Sequence, residues 1–148
     1  MSGDDDLIKL YSQRILALAA AIPLTERLGA PQVSVRRRSP LCGSTVTVDL
    51  RLEDGRVAAF GQDVKACALG QASAAVLAGQ VLGRTREEIA AGRDALVAML
   101  KSGGAPPEPP FDALEALLPA RDYRNRHASI LLAWDATLAA MDEAIEAA

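Results

Sequence analysis

The sequence predicts an α+β fold: a three-stranded antiparallel sheet with helices packed on one face, in the order αβββααα. Three observations carry this. Thr45–Leu52 alternates cleanly, with Val46, Val48, Leu50 and Leu52 on one side and Thr45, Thr47, Asp49 and Arg51 on the other. Asp54-Gly55 follows, a dipeptide suited to a tight hairpin. Apolar and alanine-rich segments with helical character lie on both sides of this strand region.

Each element has its own signal. Leu7 to about Ile22 reads as the first helix, because Leu7, Ile8, Leu10, Ile15, Leu16, Leu18 and Ala19 fit a helical stripe. Asp4, Asp5 and Asp6 suit the positive end of its dipole, and Pro23 closes it. Leu24–Pro31 is a connector. Gln32–Arg38 alternates weakly before Ser39-Pro40 and reads as an outer strand; Arg56 to about Val64 returns as the third. The result is a meander with one apolar face. Ala66–Leu82 is a helix small on most faces, suited to close packing on the sheet, and Gly83 ends it. Thr85 and Glu88 form a capping box for a helix reaching about Lys101, which Ser102-Gly103-Gly104 stops. Ala105–Pro110 is a stiff extended linker. A short helix spans Asp112–Leu118, and a last helix starts between Asn125 and Ser129 and runs almost to Ala148. No repeat is apparent, and 148 residues suit a single domain, 1–148, with a real core.

Composition narrows the function. Half the residues are apolar but only five are aromatic, so Ala, Leu, Val and Ile must build the core. A net charge of −3 gives no reason to expect nucleic acid as a partner. The run Arg36-Arg37-Arg38 reads as a solvated strand face or as a docking site for an acidic partner. The N-terminus has neither the basic nor the apolar region of a signal peptide, and no stretch reaches the roughly 18 apolar residues of a membrane span. The expectation is a cytoplasmic protein with no membrane partner, whose two cysteines are thiols rather than a disulfide. No Ser-His-Asp constellation, phosphate-binding glycine loop or paired-carboxylate motif stands out, and Gly103-Gly104 lacks the Lys-Ser/Thr of a P-loop. The chain is expected not to be an enzyme, sulfur transfer aside.

Cys42 and Cys67 are the only soft metal ligands that are thiols. A hairpin between residues 44 and 65 brings its ends together, so both cysteines emerge at one edge of the sheet. Pro40 fixes the entry to the first loop, and Gly43 leaves backbone room beside its thiol. Cys67 falls in the first turn of a helix, where unpaired N–H groups and the dipole favour thiolate, with Lys65 two residues earlier adding to the effect. The pair suits a metal, a cluster or sulfur chemistry. It equally suits two small buried hydrophobes, and spacing alone does not separate the two readings.

The surrounding residues add a resemblance. Pro40-Leu41-Cys42-Gly43, the hairpin at Glu53–Val57, and Phe60-Gly61-Gln62-Asp63-Val64-Lys65-Ala66-Cys67-Ala68-Leu69-Gly70-Gln71-Ala72-Ser73 together resemble the NifU/IscU-type iron–sulfur cluster assembly scaffold family. That family has a Pro-x-Cys-Gly-Asp loop and an FxGxGCAIxxAS segment. The similarity covers most of the chain, and the long stretch between Cys67 and the last helix is like the SufU-like branch. The resemblance implies a scaffold or carrier on which iron or a [2Fe-2S] cluster is built, with sulfur from a cysteine desulfurase, before transfer to recipient apoproteins. A homodimer sharing the cluster fits the same picture. In the longer branch zinc is an alternative, with a persulfide accepted instead. Its first two ligand cysteines correspond to Cys42 and Cys67, and Cys67 is also the candidate sulfur acceptor.

Two positions depart from the family pattern. Ser44 stands where the family has aspartate after Cys-Gly. The third ligand cysteine, at the start of the last helix, is missing. Aligning on Trp134-Asp135-Ala136 puts Ser129 in its place, whereas aligning on His-x-Ser-Ile-Leu puts Ala128 there. His127, the only histidine, is the candidate third ligand, against an ordinary role at a helix start. Asp63, before Cys67, is a weaker candidate and reads first as a surface carboxylate. Asp122 and Tyr123 read as turn residues.

Overall fold

The computed structural model describes residues 11–40 and 43–147. The chain forms helix α1 (Gln13–Ala20), strands β1 (Val33–Arg38), β2 (Thr45–Glu53) and β3 (Arg56–Lys65), and helices α2 (Ala68–Gln80), α3 (Arg86–Lys101) and α4 (His127–Ala147). Two 3₁₀ segments, Asp112–Asp122 and Arg124–Arg126, lead into α4. The sheet has the order β1-β2-β3, antiparallel throughout, which is the α+β architecture expected from the sequence.

The sheet forms where alternation and turn chemistry agree. Asp54 and Gly55 both adopt positive φ, 53° and 75°, as a two-residue hairpin requires if its twist is to match the strands. Register pairs Val35 with Val48 and Val48 with Gln62, so Val33, Val35, Val46, Val48, Leu50 and Phe60 share the inner face and are all buried. Each fully buried aliphatic chain there contributes about 1.5–3 kcal/mol. Helix α4 packs across β1 and β2, α2 packs on α4, and α1 packs on α2. Pairs Arg86–Asp142, at 2.7 Å, and Arg93–Asp135, at 2.5 Å, tie α3 to α4. Trp134 is fully buried, edge-on to Phe111 with ring centroids 4.9 Å apart, and Gly92 of α3 leaves the space that both rings occupy.

Several boundaries differ from expectation for identifiable reasons. Within the described residues α1 begins at Gln13, because the Ser12 hydroxyl caps it by accepting from the Ile15 amide; residues 7–10 of the expected helix lie outside the described set. Helix α2 begins at Ala68, with Cys67 as its N-cap residue rather than in its first turn. The stretch at 112–118 winds as 3₁₀, not α, and continues through Pro119 to Asp122. The capping box at Thr85 and Glu88 forms as expected.

The larger departure is on the outer face of the sheet. Alternation places Asp49 there, opposite the apolar side, and its side chain is nonetheless fully buried. The connector between α1 and β1 folds back over this face: the Leu24 carbonyl accepts from the Gln62 amide, and a side chain at Gly61 would strike the Glu26 carbonyl. Asp49 fastens the connector, accepting from Arg27 Nε at 2.6 Å, the Leu28 amide at 3.1 Å and Ser34 Oγ at 2.6 Å. Burial pushes this carboxyl up, but the three donors and the guanidinium charge outweigh it and hold Asp49 below the ordinary carboxylate range.

A carboxyl with a lower folded than unfolded pKa contributes stability above its unfolded value and loses it as pH falls through the folded value. Urea denaturation from neutral pH down to about pH 3 should therefore show stability falling on acidification. Asp49→Asn should remove part of that acid dependence and cost about 2 kcal/mol at neutral pH, because Leu28 and Ser34 lose a charged acceptor. An unchanged acid limb in the variant would contradict this account of Asp49.

Candidate functional site

The site is assembled where β3 ends and α2 begins. Cys67 has extended backbone, φ −67° and ψ 169°, and its side chain makes no capping bond to the helix that follows. The thiol is half-buried and lies 3.6 Å from the Ser129 hydroxyl in the first turn of α4. Ser129 is itself buried and sits 3.1 Å from the hydroxyl of Ser44, just before β2. Three elements far apart in sequence thus meet as a chain of polar atoms, Ser44 Oγ, Ser129 Oγ and Cys67 Sγ.

Local folding fixes each member. The Ser39 amide donates to the Ser44 carbonyl at 2.8 Å and the Gly43 amide to the Ser39 carbonyl at 3.0 Å, which close the loop base at the start of β2. Gly43 takes φ 71°, a conformation open to glycine at no steric cost. Gly70 sets the distance between helices: a β-carbon there would lie 2.7 Å from Ser129 Oγ and 3.0 Å from the Ser129 carbonyl. One turn further along α2, Ser73 Oγ donates to the Ile130 carbonyl at 2.7 Å and accepts from Trp134 Nε1 at 3.0 Å. The first turns of α2 and α4 are therefore locked together, and Ser129 is held against Cys67.

Cys42 lies outside the described residues. His127 is buried, and its Nε2 is 2.9 Å from the Ala120 carbonyl. A carbonyl only accepts, so Nε2 carries the proton in that bond. Two residues apart on a helix point in opposed directions, so Ser129 faces Cys67 while His127 faces the 3₁₀ segment. The His127 ring lines a cavity with Leu100, Lys101, Gly103, Arg121, Asp122 and Arg124. Asp63 is an exposed residue of β3 paired with Thr47. Among the described residues, which leave out Cys42, no three His, Cys, Asp or Glu side chains gather as a metal site.

Ser129, which one of the two sequence alignments puts at the start of the last helix in the cysteine's place, lies beside Cys67. The role of Gly70 was not legible beforehand. Its one signal is its place one turn after Cys67, on the side of α2 that carries the thiol.

The fold thus sets a cysteine at the sheet-to-helix junction, facing the start of the last helix. The chain belongs to the NifU-like family: it is 43% identical to the N-terminal part of a nitrogen-fixing NifU-like protein from Brucella abortus. The match covers 97% of this chain and 99% of that one, with a TM-score of 0.93. A protein from the thermophile Fervidobacterium islandicum AW-1, described as an iron–sulfur cluster assembly scaffold for the SUF system, shares the fold. Its TM-score is 0.81, at 19% identity over 90% of this chain and 98% of that one. No protein-family model and no curated protein matches the chain.

Gly70→Ala should push α2 off α4, costing about 1–3 kcal/mol by overpacking. Thermal denaturation reads the loss, and faster alkylation of Cys67 reads the opened contact with Ser129. Wild-type stability in the variant would mean that the two helices have room to spare.

Proposed function

We propose that the chain is an iron–sulfur cluster assembly scaffold or carrier. In this reading Cys42 and Cys67 hold iron or a [2Fe-2S] cluster as cargo, with sulfur supplied by a cysteine desulfurase and delivery to recipient apoproteins. The observation that carries it is the 43% identity to a NifU-like protein over nearly the whole of both chains. The half-buried Cys67 thiol at the junction of β3 and α2 supports it, since a ligand must reach both cargo and partner.

The donor set bears on how the cargo is held. A [2Fe-2S] cluster takes four terminal protein ligands, most often thiolates, and this chain has two cysteines in its whole length. One chain supplies half a set, so a second copy completes it or the cargo is held by fewer bonds. Ser44 and Ser129 are hydroxyls, which donate hydrogen bonds to sulfur but bind soft metals far more weakly than thiolate does. Such a site suits passing cargo on more than storing it. His127 would have to give up its bond to Ala120 before ligating anything near Cys67.

The spacing of Ser129 from Cys67 is compatible with two donors on one metal. Two sulfurs on a tetrahedral zinc, each about 2.3 Å from the metal, lie about 3.8 Å apart. Cys67 Sγ and Ser129 Oγ are separated by 3.6 Å. Zinc in place of iron is the alternative occupant, and metal analysis of anaerobically purified protein separates the two. A second reading, persulfide transfer, rests on the accessible Cys67 thiol. The Cys67 thiolate would attack the outer sulfur of a desulfurase persulfide, releasing the desulfurase thiolate and keeping that sulfur. A mass gain of one sulfur atom on Cys67, with no bound metal, would favour it.

Anaerobic reconstitution with iron, sulfide and reductant should give visible charge-transfer absorbance that Cys67→Ala and Cys42→Ala abolish. No absorbance with the wild type, or equal absorbance after both substitutions, would sink the scaffold reading. Ser129→Cys should strengthen metal retention against a chelator by on the order of 10–100-fold, the scale on which metal-site substitutions act. Unaltered retention would place Ser129 outside the cargo's reach.

A further inference from the structure

A cavity lies on the far side of the α4 start, and neither Cys67, Ser44 nor Ser129 lines it. It encloses about 500 Å³ between the end of α3, the second half of the long 3₁₀ segment and His127. Its charged lining is Lys101, Arg121 and Arg124 against the single carboxylate of Asp122. Lys101 and Arg124 are exposed at its rim and Arg121 is half-buried, so the lining carries a net positive charge.

Among the described residues no ion pair neutralises these cations. Arg121 is half-buried and its guanidinium donates to two carbonyls, those of Met99 at 2.8 Å and Gly104 at 3.2 Å. Those bonds pin the guanidinium at the cavity wall without cancelling its charge. The side chains of Lys101 and Arg124 enter no hydrogen bond or ion pair with any described residue. Elsewhere Arg27, Arg86 and Arg93 each meet an aspartate at 2.7 Å or less, which no arginine of this cavity does. A rigid guanidinium fork and two unengaged cations around a half-open cavity are the recognition chemistry of a phosphate group.

We propose that this cavity binds a small phosphate-bearing anion, with Lys101 and Arg124 closing on a group oriented by Arg121. The volume exceeds that of inorganic phosphate, so the natural occupant is a small organic phosphate. The proposal does not depend on what the cysteines carry.

His127 supplies the readout, because it is the only histidine in the chain and lines the cavity. The imidazole resonance of the full chain is followed by NMR while inorganic phosphate, then pyrophosphate, is added at fixed pH. Ionic strength is held constant with chloride, and chloride alone is the control. The expected result is a saturable shift, tighter for pyrophosphate, that weakens tenfold or more in Lys101→Ala/Arg124→Ala. That double variant removes no contact the fold uses, so its unchanged thermal stability confirms a folded comparison. A non-saturable shift, a shift reproduced by chloride, or weakening of less than tenfold in the folded variant would overturn the proposal.

Discussion

The close approach of α2 and α4 is the constraint on which the site depends. Gly70 removes the side chain that would hold the helices apart, and Ser129 occupies the vacated space. Ser73 then fills two roles one turn later, donating to Ile130 and accepting from Trp134. Buried hydrogen bonds of this kind are costly to leave unmade, so the register between the helices is fixed, not merely favoured. Trp134 extends the lock to Phe111 and, through Gly92, to α3. Because α4 also covers β1 and β2, the same contact sets where the sheet end stands relative to the last helix.

The chemistry of the site follows from what that lock brings together. A thiol, a buried hydroxyl and a second buried hydroxyl form a line from the start of α2 through the start of α4 to the start of β2. Ser44 and Ser129 are hydroxyls, which hydrogen-bond to sulfur readily and bind soft metals far more weakly than thiolate does. The opposite side of the α4 start has a different character, basic and hollow, and His127 belongs to that side. Two faces of one helical turn thus serve two environments.

Much of the fold was legible because its signals are local. Alternation in Thr45–Leu52, the Asp54-Gly55 turn and the Thr85–Glu88 box each depend on residues within a few positions of one another, and each appears as read. The burial of Asp49 was not legible, for a non-local reason. Strand alternation says which face a residue takes, but not whether a distant connector will cover that face, as 24–28 does here. Gln62 shows the same limit: it is wholly buried on the inner face, its Nε2 donates to the Ala74 carbonyl, and its Oε1 has no partner among the described residues.

For the site, the sequence by itself determined the cysteine motifs, the family resemblance they carry, and the serine replacing aspartate at position 44. It offered two alignments at the start of the last helix and a histidine as candidate ligand. Only the tertiary structure decided which of these residues stands beside the thiol, setting Ser129 against Cys67 and turning His127 toward Ala120. The physical reason is that a motif fixes residues along the chain, whereas a ligand is chosen by direction in space. Near a helix start that direction reverses within two residues. Which of His127 and Ser129 faces the thiol was therefore settled by the packing of α4 on α2, through a glycine and a serine that carry no chemistry of their own.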